Sequence, residues 1–182
     1  MVEKRIHRLR DLAQRQYGYF TAEQANQVGV SSAYLANLVR TGKFAGVSHG
    51  VYVDPTVPID RFDRARRALL WTGRNQGCLS HQTALWLWDL ADEPEKIDLT
   101  LPRGTRIRRA GGETYTIHSF DLPKDWVTEK YDVRTVDAAV AIVQSWREMQ
   151  ISVDRARKLT YAAFEGGVIS EQDRNELYSA FN

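Results

Sequence analysis

The stretch that most constrains the fold is 19–53, YFTAEQANQVGVSSAYLANLVRTGKFAGVSHGVYV, which spells two short helices, a tight turn and a two-stranded wing. Thr21 with Gln24 three residues on forms a capping box, which satisfies two backbone N–H groups that a helix start leaves unpaired. Ala22, Ala25 and Val28 give that helix a small apolar face, and Gly29-Val30 ends it. Ser31 or Ser32 caps the next helix, which runs to about Thr41. Two helices joined by a short Gly-containing turn are a helix-turn-helix, whose second helix is available to a major groove.

At about 100° per residue, Leu35, Leu38 and Val39 define the buried face of that second helix. Ala33, Ala36, Asn37 and Arg40 then lie opposite, with Tyr34 and Thr41 at the edge. The two alanines permit close approach, Asn37 suits adenine, and Arg40 suits guanine or phosphate. Gly42-Lys43 turns the chain into 44–47, and Ser48-His49-Gly50 turns it back into Val51-Tyr52-Val53, a wing. Lys43, Ser48 and His49 are its expected phosphate contacts, with Ser31 and Ser32 at the helix start. A polar helix face also suits a protein partner, so that alternative stays open.

Charge points to the same end of the chain. Residues 1–54 hold seven Lys and Arg against four Asp and Glu, while the remainder is slightly acidic and the whole chain carries only +2. An anionic partner is therefore expected for the N-terminal piece alone. Ile6, Leu9, Leu12 and Ala13 recur at helical spacing, predicting a supporting helix over 3–16, with Arg5, Arg8 and Arg15 available to a phosphate backbone. Asp54-Pro55-Thr56-Val57-Pro58 is the expected boundary between a domain over 1–54 and a second over 59–182, because two prolines in five residues disfavour helix and strand alike. One cysteine, Cys78, excludes an intramolecular disulfide and favours a reducing, cytoplasmic setting. No membrane span or signal-peptide core is expected.

The second domain reads as mixed α/β. A helix is predicted over 59–72 with Ile59, Phe62, Ala65 and Leu69 inward and Arg61, Arg64 and Arg67 outward; another is predicted from Ser80 through Leu90. Ile97, Leu99 and Leu101 alternate with Asp98 and Thr100, the mark of a half-buried strand. A second strand covers 114–119, 123–132 is a polar connection, and Thr135 caps a helix carrying Val136, Ala139, Val140, Val143 and Trp146. Ser152 and Ser170 cap two more helices. Arg103, Arg106, Arg108 and Arg109 form a basic patch that, with Arg61, Arg64 and Arg67, is a candidate partner surface.

No catalytic group, cofactor or metal set is expected. Histidines 7, 49, 81 and 118 show no ligand spacing, and His81 reads as a local structural or surface residue. There is no phosphate-cradling loop or nucleophile elbow. Asp98 and Asp137 are the carboxylates a nuclease or nucleotidyltransferase alternative would use, with Asp137 more simply paired to Arg134 at a helix start.

GYFTAEQANQVGVSSAYLANLVRTGKFAGVSHGVYV, LSHQTALWLWDL, IDLTLPRG and VRTVDAAVAIV together resemble the AbiEi family of antitoxins from type IV toxin–antitoxin systems. Ser80, His81 and Ala84 match its serine-histidine-alanine helix start; Arg134, Thr135 and Asp137 resemble its Arg-Thr-x-x-Asp segment, with one residue fewer before the aspartate. The resemblance implies an α+β protein whose winged helix-turn-helix binds duplex DNA at its own promoter and represses its operon; separately, the small contact area of one winged helix suits a palindrome bound by a dimer, or repeats. The resemblance also implies a second domain opposing a nucleotidyltransferase-like toxin, and no enzyme, since the chain ends too soon after Phe181 for the nuclease-like tail of some members. A stand-alone repressor with a dimerising or sensing domain is the alternative, and the oligomeric state is left open.

Overall fold

The computed structural model describes residues 2–73, 77–107 and 112–182, and structural statements refer to these. They divide into two compact units, one ending at Asp63 and the other starting at Arg64. The architecture is α+β throughout: an N-terminal winged helix-turn-helix and a mixed α/β second unit.

The first unit contains α1 (Val2–Gln14), β1 (Tyr19–Thr21), α2 (Ala22–Gln27), α3 (Ser32–Arg40), β2 (Ala45–Ser48) and β3 (Val51–Val53). The capping box forms as expected, with Gln24 N–H donating to Thr21 Oγ1 and Thr21 N–H to Gln24 Oε1. Ser31 rather than Ser32 caps α3, its hydroxyl accepting from Tyr34 N–H. The wing gains an unforeseen third strand: β1 pairs antiparallel with β3, giving the order β1-β3-β2. Gly18, at φ 91, makes the tight entry to β1, and its N–H donates to Ala13 O at 2.7 Å. Leu9, Ala13, Phe20, Ala25, Val30, Leu35, Leu38 and Phe44 form the core. Within it Phe20 stands edge-on to Phe44 and stacks on Tyr52, geometries that add to plain area burial. Asp54, almost wholly buried, closes the unit by accepting from both the N–H and the hydroxyl of Thr56, with Arg10 Nε 3.5 Å away.

The second unit holds α4 (Asp63–Thr72), β4 (Cys78–Leu79), α5 (His81–Leu87), β5 (Ile97–Leu101), β6 (Tyr115–Ser119), a 3-10 turn (Lys124–Trp126), β7 (Val127–Lys130), β8 (Val133–Val136), α6 (Ala138–Arg147), α7 (Val153–Glu165) and α8 (Glu171–Ala180). Its sheet runs β6-β5-β4-β8-β7 and is mixed: β5/β6 and β4/β8 are parallel, β4/β5 and β7/β8 antiparallel. Ala84, Leu85, Val136, Ala141, Ile142, Leu159 and Leu177 belong to its core. Burial of Cys78 there pushes its thiol up to about 12, so it behaves as a small apolar side chain.

Several boundaries differ from expectation for physical reasons. The helix expected from Ile59 starts at Asp63, after the proline-rich turn, and Ile59 is exposed. The stretch 123–132 is no mere connection: it contains β7, joined to β8 through Tyr131 and Asp132, both at positive φ. Thr135 lies in β8, and Asp137 is the cap of α6, accepting from Val140 N–H at 2.8 Å. The expected half-buried strand β5 is buried at every position, Asp98 and Thr100 included.

Candidate functional site

Each unit carries a candidate site. In the first, Leu35 and Leu38 fix α3 against the core, which leaves Ser31, Ser32, Ala33, Ala36, Asn37, Arg40, Thr41 and Lys43 exposed and Tyr34 half-buried. Ala33, Ala36, Asn37 and Arg40 thus share the outer face as their spacing predicts. Arg40 Nη2 donates to Asn37 Oδ1 at 2.6 Å, so the two candidate base readers hold each other in place. The Ser31 hydroxyl caps the helix start, and the Thr41 hydroxyl donates to Asn37 O at 2.9 Å at its end. These two residues therefore define the ends of α3. Ser48 ends β2 half-buried, beside a bulge against β3, and His49 is exposed in the wing turn.

The arginines of the candidate partner surface do not behave alike. Arg64 is engaged with Glu93 Oε1 at 2.6 Å and with the carbonyls of Pro94 and Glu95. Arg61 lies over the Phe62 ring and Arg103 over Phe120, while Arg67 and Arg106 are exposed. Arg108 and Arg109 lie outside the described residues.

The second site was not expected. Ser80 ends the step from β4 into α5, but its hydroxyl does not cap the helix. Instead Ser80 Oγ lies 2.9 Å from His81 Nδ1 and accepts from Thr100 Oγ1 at 2.8 Å. His81 takes a positive φ of 50 at the first position of α5, a conformation that costs a non-glycine residue about 1–3 kcal/mol and is retained where the surroundings demand it. That turn sends its ring inward, where it is 2% exposed and stacks on His118 from β6 with ring centres 3.6 Å apart.

Glu148, the residue after α6, reaches both rings. Its Oε2 is 2.8 Å from His118 Nδ1 and its Oε1 3.3 Å from His81 Nε2, the latter at an angle that makes no hydrogen bond. A carboxylate at a helix C-terminus opposes the helix dipole, so Glu148 is placed against its local preference. On the far side of His118, Nε2 is 2.9 Å from Asp98 Oδ1, which also accepts from Gln150 Nε2 at 3.0 Å. A positive φ at Met149 lets Glu148 and Gln150 serve the same cluster.

Environment splits the two histidines. His81 is pushed down to about 4, first by burial and then by the neighbouring His118, so it is neutral at neutral pH. Burial also opposes charge on His118, but its hydrogen bond to Asp98 and the nearby charge of Glu148 outweigh this and raise it. Two titratable groups in contact with their pKa values driven apart are suited to opposite roles in proton transfer. The cluster opens on a cavity of about 420 Å³, lined by Phe120, Trp126, Val140, Val143 and Leu177 and by the charged Arg147, Asp173 and Glu176.

His81, His118 and Glu148 each offer one ligand atom, all within 4.8 Å of one another, a group able to hold a metal ion. The expectation of a chain without metal ligands or catalytic potential is therefore corrected, and His81, read as a local structural or surface residue, is buried rather than on the surface. The residues escaped a search for ligand spacing because they come from the start of α5, the last half of β6 and the residue that follows α6. Asp137, the other carboxylate considered, is occupied as a helix cap. Its carboxylate accepts from Val140 N–H at 2.8 Å.

Residues 7–53 match the family model described as transcriptional regulator, AbiEi antitoxin. The match runs from α1 to β3 and includes none of the second unit. No curated protein matches the chain. Among the described residues, no helix is long and apolar enough to cross a membrane.

Proposed function

We propose that the chain is a DNA-binding transcriptional autorepressor of a type IV toxin–antitoxin operon, with residues 1–54 as the DNA-binding module and 59–182 as the module opposing a nucleotidyltransferase-like toxin. The observation that carries this reading is the outward Ala33-Ala36-Asn37-Arg40 face of α3, set over buried Leu35 and Leu38 in a segment similar to antitoxin regulators. Placed in a major groove, the alanines admit the helix axis close to the base edges, Asn37 and Arg40 read them, and Lys43, Ser48 and His49 meet the flanking phosphates. A single module of this size buries little surface, which favours a repeated or palindromic operator.

The test is fluorescence anisotropy of the full chain on its own upstream duplex and on a scrambled duplex, at several salt concentrations. The reading requires tighter binding to the upstream duplex and an affinity that falls with salt. Equal affinity for both duplexes removes promoter recognition. For the second module, co-expression with a neighbouring toxin gene should restore growth, and failure to do so assigns 59–182 another role.

A further inference from the structure

We propose that the second unit binds one divalent first-row transition-metal ion through His81 Nε2, His118 Nδ1 and Glu148, with a remaining coordination position facing the cavity. The inference stands apart from the DNA-binding reading, and either can fail alone.

Four observations carry it. The first is an unpartnered atom: His81 Nε2 is buried and makes no hydrogen bond, although it points at a carboxylate. Leaving a buried polar atom unsatisfied is costly, and a bound water or ion is among the reasons to retain one. The second is spacing. Metal–ligand bonds of about 2.0–2.1 Å in a tetrahedral arrangement place ligand atoms about 3.3 Å apart; His81 Nε2 lies 3.3 Å from Glu148 Oε1, while the 2.8 Å hydrogen bond between His118 Nδ1 and Glu148 Oε2 must open to admit the ion.

The third is the outer layer. A ligating histidine commonly donates its other ring N–H to a carboxylate or another oxygen, which fixes its tautomer. His118 Nε2 has Asp98 Oδ1, itself steadied by Gln150, and His81 Nδ1 has Ser80 Oγ, itself bonded to Thr100. Each histidine thus has its second nitrogen held and its first aimed at Glu148. The fourth is strain, since the positive φ at His81 is what brings its ring to the other two residues.

The donor set selects the ion. Two imidazoles and one carboxylate suit zinc, iron, cobalt or nickel, whereas magnesium and calcium prefer oxygen alone. Three protein ligands also leave a position for water or a ligand oxygen, as in catalytic rather than closed structural sites. The apolar cavity walls beside that position fit a small molecule with an apolar or aromatic body and one oxygen or nitrogen donor.

The stacked rings set a condition on loading. At 15° between planes, the two lone pairs cannot meet at one point, so one ring must tilt. Loading therefore requires the buried His81 ring to tilt together with the Ser80 hydroxyl, against the bond that Ser80 accepts from Thr100. The rival arrangement is a proton on His118, shared with Asp98 and Glu148, in place of the ion.

The experiment is a Zn²⁺ titration of the full chain against a chromophoric chelator, in a His7→Ala/His49→Ala background that removes the other two histidines. One zinc per chain is expected, not displaced by excess Mg²⁺. His81→Ala should abolish binding, and Glu148→Gln, on a half-exposed side chain whose loss does not threaten folding, should weaken it at least about tenfold. Asp98→Asn should weaken it about 10–100-fold by releasing His118. Ring ¹⁵N shifts of the loaded protein should show metal at His81 Nε2 and His118 Nδ1. Zinc affinity unchanged by Glu148→Gln, absence of stoichiometric zinc, or ¹⁵N shifts showing a doubly protonated His118 under excess zinc would each overturn the proposal.

Discussion

The two units put their polar chemistry in opposite places. The first buries an apolar core, with Gln24 and Asp54 the buried polar side chains, and carries its candidate chemistry outside on α3 and the wing. The second buries Ser80, His81, Thr83, Asp98, Thr100 and His118, and its candidate chemistry lies among them beside a cavity. An outward site tolerates solvent and needs only a rigid platform, whereas an inward one must satisfy every polar atom it buries or hold a ligand that does. The contrast suits a duplex contacted on an exposed helix and a small ligand or ion taken into an interior.

The largest expected effect tests the platform. Phe20→Ala removes the ring that joins Phe44 and Tyr52 and should cost about 3–5 kcal/mol, read from urea denaturation. A loss below about 1 kcal/mol would mean that the wing does not depend on this aromatic cluster.

Next come Asn37→Ala and Arg40→Ala, each expected to cost about 1–3 kcal/mol of promoter binding with the melting temperature little changed, since both side chains are exposed. Because they bond to each other, the double variant should lose less than the sum of the singles. Full additivity in a double-mutant cycle would show that the two act independently.

A smaller effect separates cap from charge in the second unit. Asp137→Ala should cost about 0.5–2 kcal/mol by removing the α6 cap, while Asp137→Asn keeps the cap. Burial raises the Asp137 carboxyl above its usual range, despite the bond from Val140 N–H. Its contribution is thus complete below the unfolded value of 3.8 and declines as pH rises through the raised folded value. Asparagine should remove that decline, and stability curves against pH for the two proteins check it. Parallel curves would mean that the half-buried carboxyl carries no such cost.

The smallest is Arg64→Ala. Its pair with Glu93 is about two-fifths exposed on each side, which limits the loss to about 1 kcal/mol. A larger drop in thermal stability would assign the weight to its bonds with the Pro94 and Glu95 carbonyls.

The same contrast explains what the sequence disclosed. In 19–53 each signal is local: Thr21 with Gln24, Gly29, Ser31, and the Leu35/Leu38 stripe all lie within a few residues of what they determine, so helix ends and the outward face could be read directly. Only β1 escaped, being three residues long. In the second unit the β7–β8 hairpin was hidden because its turn uses Tyr131-Asp132 at positive φ, where Asn-Gly or Asp-Gly is the usual mark. Asp98 alternates with leucines like a solvent-facing residue, yet it faces His118. His81, His118 and Glu148 meet only through the packing of α5, β6 and α6, which no spacing within one element encodes.

The most direct test of the central claim is promoter affinity of the full chain carrying Asn37→Ala and Arg40→Ala together, measured by anisotropy beside the parent. The outward-face account predicts at least about a tenfold loss on the promoter duplex, with a much smaller change on a scrambled one. Unchanged promoter affinity in the doubly substituted, folded protein would contradict it.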